Sequence, residues 1–189
     1  MIKPKKQGQA KTVKDKFRGL VQVYTGNGKG KTTAALGLAL RAAGHGHKTY
    51  IGQFLKGQSY GELVAAKKLS PLITIEQFGR KGFYHVTKDP DQEDFLRARG
   101  GLKKCRKAVH SGKFRIVVLD EVNVAVFFKL LEEKDILDFI DHKPEGVELI
   151  LTGRFAPDSF IERADLVTEM KEVKHYFKDG VKAREGIEK

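Results

Sequence analysis

Residues 25–33 combine glycine, lysine and threonine at a spacing that suits the binding of phosphate groups. The segment follows an apolar, β-branched run and opens into an Ala- and Leu-rich stretch, which is the strand–loop–helix setting of a phosphate-binding loop. Glycines let backbone N–H groups turn toward anionic oxygens, because no Cβ blocks a positive φ or a close approach. We therefore predict a nucleoside triphosphate site. Its residues are Thr25, Gly26, Asn27, Gly28, Lys29, Gly30, Lys31, Thr32 and Thr33.

Two side chains of this loop have distinct expected roles. Lys31 is expected to place a positive charge on the phosphates, and the hydroxyl of Thr32 to ligand Mg²⁺ beside them. The usual motif has a glycine five residues before Gly30, where this chain has Thr25. The alternative is an ordinary glycine-rich turn with a lysine nearby, which the flanking strand and helix patterns disfavour.

A pair of carboxylates, Asp120 and Glu121, follows the apolar run 116–119. Carboxyl ends of strands in an open α/β sheet meet at the ligand crevice, so either carboxylate could reach the metal shared with Thr32. A strand-end turn or a helix start is the alternative, because carboxylates also favour helix N-termini. The phosphate loop upstream favours the metal site, and the sequence leaves open which carboxylate contacts the ion.

The elements that must position these residues alternate between strand-like and helix-like patterns from residue 20 onward. This alternation predicts an α/β fold of the P-loop NTPase type, with a mostly parallel sheet and helices on both faces. The expected strands cover residues 20–24, 48–54, 73–78, 116–119, 147–152 and 166–170. The expected helices cover 32–43, with Gly44 as the glycine after its end, and 62–69, 91–110, 122–131, 134–141 and 157–163. Residues 79–90 form a long loop of the kind that often serves a site, and 171–189 have no assignment.

Length and charge suggest one domain over residues 19–189, preceded by a basic arm over 1–18. The arm carries seven Lys and Arg residues and one Asp, so it holds +6 of the chain's net charge of +12. It can bind nucleic acid or a membrane surface, remain solvated, or fold over an anionic ligand. There is no apolar run of membrane-span length and no signal-peptide pattern, and Cys105 is the single cysteine. We expect a cytoplasmic protein without membrane contact, in which Cys105 is a small buried hydrophobe.

The sequence lacks the residue arrangements of several common catalytic sites. It shows no Ser/His/Asp order of a hydrolase, no Cys/His metal cluster and no kinase catalytic loop, and each of its six histidines fits a surface or turn position. Chemistry that needs only a triphosphate clamp and a metal fits this inventory, with the nucleophile supplied by the substrate.

Taken together, the motifs resemble those of the P-loop type of corrinoid adenosyltransferases, which act on cob(I)yrinic acid a,c-diamide or cob(I)alamin. The resemblance extends from about residue 19 to residue 188. It is carried, in order, by residues 23–35, 42–46, 53–57, 119–123, 151–154, 165–170, 173–175 and 180–188.

This resemblance implies transfer of the 5′-deoxyadenosyl group of ATP to the cobalt(I) of a reduced corrinoid, with release of triphosphate. It also implies Mg²⁺ as cofactor and Arg154 among the nucleotide-binding residues. The triphosphate is expected to lie in the loop in the opposite sense to that in ATPases, which would place C5′ at the reacting centre. Thr25 is our hypothesis for the origin of that difference.

The resemblance also gives the loop 79–90 and the basic arm a role. Phe83 is expected to crowd one face of the corrin and keep the lower axial ligand from cobalt, which eases reduction of cobalt(II). Simple anchoring of the loop is the alternative for Phe83. Where some relatives carry Trp, this chain has His85. The resemblance further implies an electron donor or reductase and a homodimer. The basic arm is expected to fold over an active site, which could be that of the partner subunit.

A P-loop ATPase that binds nucleic acid through its basic arm is the alternative function. The sequence disfavours it, because outside the arm no basic stripe is interleaved with aromatic residues. The two functions differ in the products of ATP turnover. The preferred corrinoid, the reductase and the oligomeric state are left open by the sequence.

Overall fold

Six short strands form one parallel sheet in the computed structural model, which describes residues 17–80 and 90–189. The strands are β1 (Val21–Thr25), β2 (Thr49–Gln53), β3 (Ile73–Gln77), β4 (Ile116–Asp120), β5 (Glu148–Thr152) and β6 (Leu166–Glu169). Their order in the sheet is β3-β2-β4-β5-β1-β6, and each neighbouring pair is parallel. All the expected strands are confirmed, with ends that differ by at most one residue.

Helices cover both faces of this sheet. They are α1 (Lys31–Gly44), α2 (Gly61–Lys68), α3 (Gln92–His110), α4 (Val122–Phe127), α5 (Glu133–Asp141) and α6 (Asp158–Arg163). Alanines of α1 and α2 pack with Ile116 and Val118 on one face, whereas α3 to α6 pack with Val117 and Leu119 on the other. Successive side chains of a strand point to opposite faces, so the uninterrupted apolar run of β4 fills both layers of the core.

The long helix α3 begins and packs as its sequence indicates. Asp91 caps it, because its carboxylate accepts hydrogen bonds from the N–H groups of Glu93 (3.0 Å) and Asp94 (3.2 Å). Cys105 lies on the inner face of the helix with no exposed surface, and burial raises the pKa of its thiol. The expectation that Cys105 is a small buried hydrophobe is confirmed.

The helix ends lie within one residue of the sequence-based expectation except at the end of α4, and the glycine after α1 is not the expected one. Gly44 is the last residue of α1 rather than the residue after it, and Gly46 takes the positive φ of 73°. The expected helix 122–131 ends at Phe127, because Lys129 adopts a φ of 58° and the chain turns back. The N–H of Leu130 then bonds to the carbonyl of Ala125 at 2.9 Å, which buries Leu130 in the core.

The strand order brings the two predicted sites to one edge of the sheet. β5 lies between β1 and β4, so the loop after β1 and the carboxylates after β4 flank the end of β5. This is the carboxyl edge of an all-parallel sheet, where ligands of open α/β folds bind.

The C-terminal residues fold back over the phosphate loop. The N–H of Gly28 bonds to the carbonyl of Met170 at 2.6 Å, and a short 3₁₀ helix, Tyr176–Asp179, follows. In the described parts of the chain, no helix has the length and apolar character needed to cross a membrane. Phe83, His85 and most of the basic arm, residues 1–16, lie outside the described residues.

Candidate functional site

The phosphate loop connects β1 to α1 through two glycines with a positive φ, 90° at Gly26 and 122° at Gly30. This backbone conformation is strained for residues with a Cβ, which is why glycines occupy these positions. Gly30 is the N-cap of α1, and no side chain caps this helix or places an acid in its first turn. The free N–H groups and the positive end of the helix dipole therefore face the loop, as in an anion-binding site.

Lys31 is buried at the base of this loop. Its Nζ donates hydrogen bonds to the carbonyls of Gly26 and Gly28, both at 2.7 Å. The residue is 8% exposed, and burial lowers the pKa of its ammonium below the ordinary value. These two carbonyls hold the ammonium within the loop, where a phosphate oxygen could replace either of them as its partner.

Asp120 is the centre of the polar cluster beside the loop. Its carboxylate is fully buried and accepts hydrogen bonds from four side chains. Oδ1 accepts from the hydroxyls of Thr32 (2.9 Å) and Thr152 (2.7 Å), and Oδ2 accepts from Lys56 Nζ (2.8 Å) and Gln53 Nε2 (3.2 Å). The contact between Thr32 and Asp120 joins the phosphate loop to the end of β4, as the motif spacing predicts.

Glu121 follows Asp120 in a left-handed backbone conformation, with a φ of 62°. Its N–H donates to Thr152 Oγ1 at 3.0 Å, so the end of β5 supports this strained turn. Burial and the neighbouring charge of Asp120 raise the pKa of the Glu121 carboxyl. The turn separates the roles of the two carboxylates: Asp120 bonds directly to Thr32, whereas Glu121 lines the clefts beside the loop.

Lys56 supplies the positive charge that balances Asp120. Its Nζ contacts Thr32 Oγ1 at 3.1 Å as well as Asp120 Oδ2 at 2.8 Å. Burial by itself would lower the pKa of Lys56, but the attraction and hydrogen bond of Asp120 raise it above the ordinary value. The ammonium therefore contacts both the threonine hydroxyl and the carboxylate, which also bond to each other.

The donor atoms at this point fit a magnesium ion. Mg²⁺ prefers oxygen ligands and is commonly held by one or two protein groups together with substrate phosphates and water. Thr32 Oγ1 and the carboxylate of Asp120 are such oxygens, 2.9 Å apart. Among residues 17–80 and 90–189, no three His, Cys, Asp or Glu side chains form a metal-binding group of their own.

Two adjoining clefts of about 570 and 390 Å³ open beside the loop. Both are lined by Lys29, Lys31 and Glu121. The larger also contacts Gly30, Thr32 and Thr33, and the smaller contacts Asn27, Gly28 and Arg154. Most of the predicted nucleotide-binding residues thus converge on one region.

Thr25 has a different environment from the other loop residues. It lines neither cleft, and its hydroxyl accepts a hydrogen bond from the N–H of Ala156 at 3.4 Å. This contact ties the last residue of β1 to the turn after β5, next to Arg154. Thr25 therefore contacts the segment that carries Arg154 rather than the base of the phosphate loop.

The sequence reasoning missed several polar residues of this site. Lys56, Thr152 and Gln53 lie at or just after the carboxyl ends of β2 and β5, a position that itself indicates a ligand-binding edge. Glu188 was also missed, and its carboxylate binds Lys29 Nζ at 3.0 Å. Glu188 lies in the segment 180–188 that carries the family resemblance, but its contact with Lys29 could not be predicted, because 159 residues separate the two.

The family model described as ATP:corrinoid adenosyltransferase BtuR/CobO/CobP matches residues 17–188 of this chain. The chain belongs to this family. A corrinoid adenosyltransferase of Pseudomonas aeruginosa is 39% identical over 172 residues, which cover 90% of this chain and 84% of the relative. A corrinoid adenosyltransferase of Escherichia coli K12 is 36% identical, with coverage of 90% and 86%.

Membership of the ATP:corrinoid adenosyltransferases confirms the resemblance found in the sequence and the prediction of an enzyme of this activity. The matches give no support to the alternative of a nucleic-acid-binding ATPase. A solved structure of a KaiC-like protein from Pyrococcus horikoshii has a TM-score of 0.56 at 17% identity, over 83% of this chain and 75% of that one. At this identity the likeness concerns the fold alone, and the predicted fold class is confirmed by the parallel sheet between two helical layers.

Proposed function

We propose that this adenosyltransferase moves the 5′-deoxyadenosyl group of ATP to the cobalt(I) of a reduced corrinoid and releases inorganic triphosphate, in the synthesis or salvage of adenosylcobalamin. The cobalt electron pair forms the bond to C5′. The C5′–O bond breaks, and its electron pair leaves with the triphosphate. The observation that carries the proposal is the contact of Thr32 with Asp120 beside a glycine loop, within a chain of this family.

This displacement requires alignment and charge stabilisation rather than a protein base. The leaving triphosphate is a strongly negative group, so preorganised donors around it lower the barrier. The N–H groups at the start of α1 and the ammonium of Lys31 are the donors we assign to it. In this scheme Lys31 exchanges its bonds to Gly26 and Gly28 for bonds to phosphate oxygens.

The metal assignment is part of the same proposal. We assign Mg²⁺ to Thr32 and Asp120, with Glu121 beside them, because these oxygens face the phosphate loop. Bound there, the ion would neutralise charge on the triphosphate. The remaining nucleotide contacts are assigned to the loop residues Thr25 to Thr33 and to Arg154, and the catalytic assignments are Lys31, Thr32 and Phe83.

Further assignments concern the parts of the chain around the site. We propose a single catalytic domain over residues 19–189 and a basic arm over 1–18 that folds over an active site in a homodimer. An electron donor would reduce the corrinoid to cobalt(I), and Phe83 in the loop 79–90 would crowd the corrin.

A cytoplasmic location is supported by the single buried Cys105, since such a thiol is common in reducing compartments.

A comparison of Lys31→Ala with the wild type tests this proposal. We expect the variant to lose roughly 10²-fold or more in the rate of adenosylation, because it lacks a donor to the developing charge on the triphosphate. The measurement is the absorbance change on forming the cobalt–carbon bond, from ATP, Mg²⁺ and a prereduced corrinoid. Lys103→Ala, at an exposed position of α3, is the matched control and should react at the wild-type rate. Undiminished adenosylation by Lys31→Ala would contradict the phosphate assignment.

A further inference from the structure

The ammonium of Lys56 contacts both of the residues to which the proposed function assigns a divalent cation. Its two oxygen contacts, Thr32 Oγ1 at 3.1 Å and Asp120 Oδ2 at 2.8 Å, involve the same pair of residues that the proposed function assigns to Mg²⁺. A lysine ammonium and a divalent ion repel each other strongly at such short range, since little water separates them. The two cations therefore compete for one position.

The burial of Asp120 explains why a cation is needed there before any substrate binds. The carboxylate has no exposed surface, and a buried charge without a partner is strongly destabilising. Lys56 is the one cation that forms an ion pair with Asp120 in the described residues. Thr32, Thr152 and Gln53 add hydrogen bonds but no positive charge.

The backbone of Lys56 is fixed, whereas its side chain reaches the site through a flexible stem. The carbonyl of Lys56 accepts a hydrogen bond from the N–H of Gly79 at 2.8 Å, and Phe54, two residues earlier, bonds to the carbonyl of Asp120 at 2.9 Å. The side chain of Lys56 is 18% exposed and lines both clefts together with Lys31. The ammonium can thus leave Asp120 for the cleft without any change in the sheet.

We propose that Lys56 is the resident counter-ion of Asp120, that a divalent cation displaces it, and that the displaced ammonium then binds the triphosphate. This inference rests on the proposed function, because it takes the metal site and the triphosphate site from it. Lys56 would occupy the metal position in the free enzyme and contact the substrate in the loaded enzyme.

This exchange couples the binding of metal and nucleotide. A metal ion alone must displace an ammonium that has no other strong partner, so it binds weakly. When a triphosphate is present, the displaced ammonium gains phosphate oxygens as partners, and both ligands bind more tightly. The enzyme would then take up its metal together with ATP rather than before it.

The substitution Lys56→Met tests the exchange, because it keeps much of the stem and removes the charge. Binding of Mn²⁺ without nucleotide is measured from the electron paramagnetic resonance signal of the free ion. We expect Lys56→Met to bind Mn²⁺ about 10-fold more tightly than the wild type, and to bind ATP with Mg²⁺ about 10-fold more weakly. Lys103→Met is the matched control: it removes the ammonium of an exposed lysine of α3 that lines neither cleft, and its Mn²⁺ affinity should stay within about 3-fold of the wild type.

The outcomes separate this inference from the proposed function. Equal Mn²⁺ affinities of wild type and Lys56→Met, or a weaker affinity in the variant, overturn the role of Lys56 while Asp120→Asn still tests the metal site. If none of these proteins binds Mn²⁺ even with ATP present, the metal assignment fails and the inference fails with it. If Lys56→Met is unfolded without metal, Mn²⁺ should raise its unfolding temperature more than that of the wild type, and the double variant Lys56→Met/Asp120→Asn should fold. Failure of either expectation counts against the inference.

Discussion

Asp120 and Thr152 show how single residues at the ends of two strands build the site. The hydroxyl of Thr152 donates to Asp120 Oδ1 at 2.7 Å and accepts from the N–H of Glu121 at 3.0 Å. It therefore orients the carboxylate that Thr32 contacts and stabilises the left-handed turn at Glu121. Thr152 acts through its neighbours, so it is a positioning residue.

Replacing Thr152 by Val tests this role. Val has nearly the same shape but no hydroxyl, so one oxygen of buried Asp120 loses a donor and the N–H of Glu121 loses its acceptor. We expect a decrease of about 1–3 kcal/mol in the free energy of unfolding, measured by urea denaturation. Thr152→Ser, which keeps the hydroxyl, should lose less. Equal losses in the two variants would show that the methyl group rather than the hydroxyl matters.

At the scale of elements, helix α3 approaches the sheet closely where a glycine faces Phe78. A Cβ added at Gly101 would lie 2.3 Å from Cδ2 and 2.4 Å from Cγ of Phe78, far inside contact distance. The neighbouring Gly100 has no atom within 4 Å of such a Cβ. Packing thus requires a glycine at position 101 but not at position 100. Phe78 is also the residue before Gly79, where the loop assigned to the corrin begins.

These two glycines give a matched pair of substitutions in one helix. Gly101→Ala should destabilise the protein by about 1–3 kcal/mol, because the ring of Phe78 must move within a packed core. Gly100→Ala should stabilise it by about 0.5–1 kcal/mol, because alanine favours the helix at a site with free space. The measurement is thermal or urea unfolding of both variants. A stabilising Gly101→Ala would contradict the close packing of α3 on Phe78.

The elements also show what could be read from the sequence. Hydrophobic patterns predicted all six strands, although only β1, β2, β4 and β5 are largely buried and β6 is exposed along its whole length. The loop and Asp120 followed from their places at strand ends. The end of α1 was placed one residue too early, because Gly44 and Gly46 both satisfy the glycine pattern of a helix end. The pairing of Lys56 with Asp120 could not be predicted, because it depends on β2 lying beside β4.

At the scale of the whole molecule, positive charge is concentrated where a triphosphate is proposed to bind. Lys29, Lys31, Lys56 and Arg154 line the two adjoining clefts, and acidic side chains such as Glu121 and Glu188 partly balance them. This arrangement suits a compact, strongly negative ligand better than an extended nucleic-acid strand. The C-terminal segment adds to the enclosure, since Glu188 binds Lys29.

In the proposed function ATP reacts at C5′ of its sugar and its triphosphate group leaves, so the identity of the phosphate product distinguishes this reaction from ATP hydrolysis. The enzyme is mixed with ATP, Mg²⁺ and a chemically reduced corrinoid, and the products are identified by ³¹P nuclear magnetic resonance. We predict intact inorganic triphosphate, formed in step with the cobalt–carbon bond and only when the reduced corrinoid is present. ADP with phosphate as the products, or triphosphate formed without corrinoid, would contradict transfer of the 5′-deoxyadenosyl group.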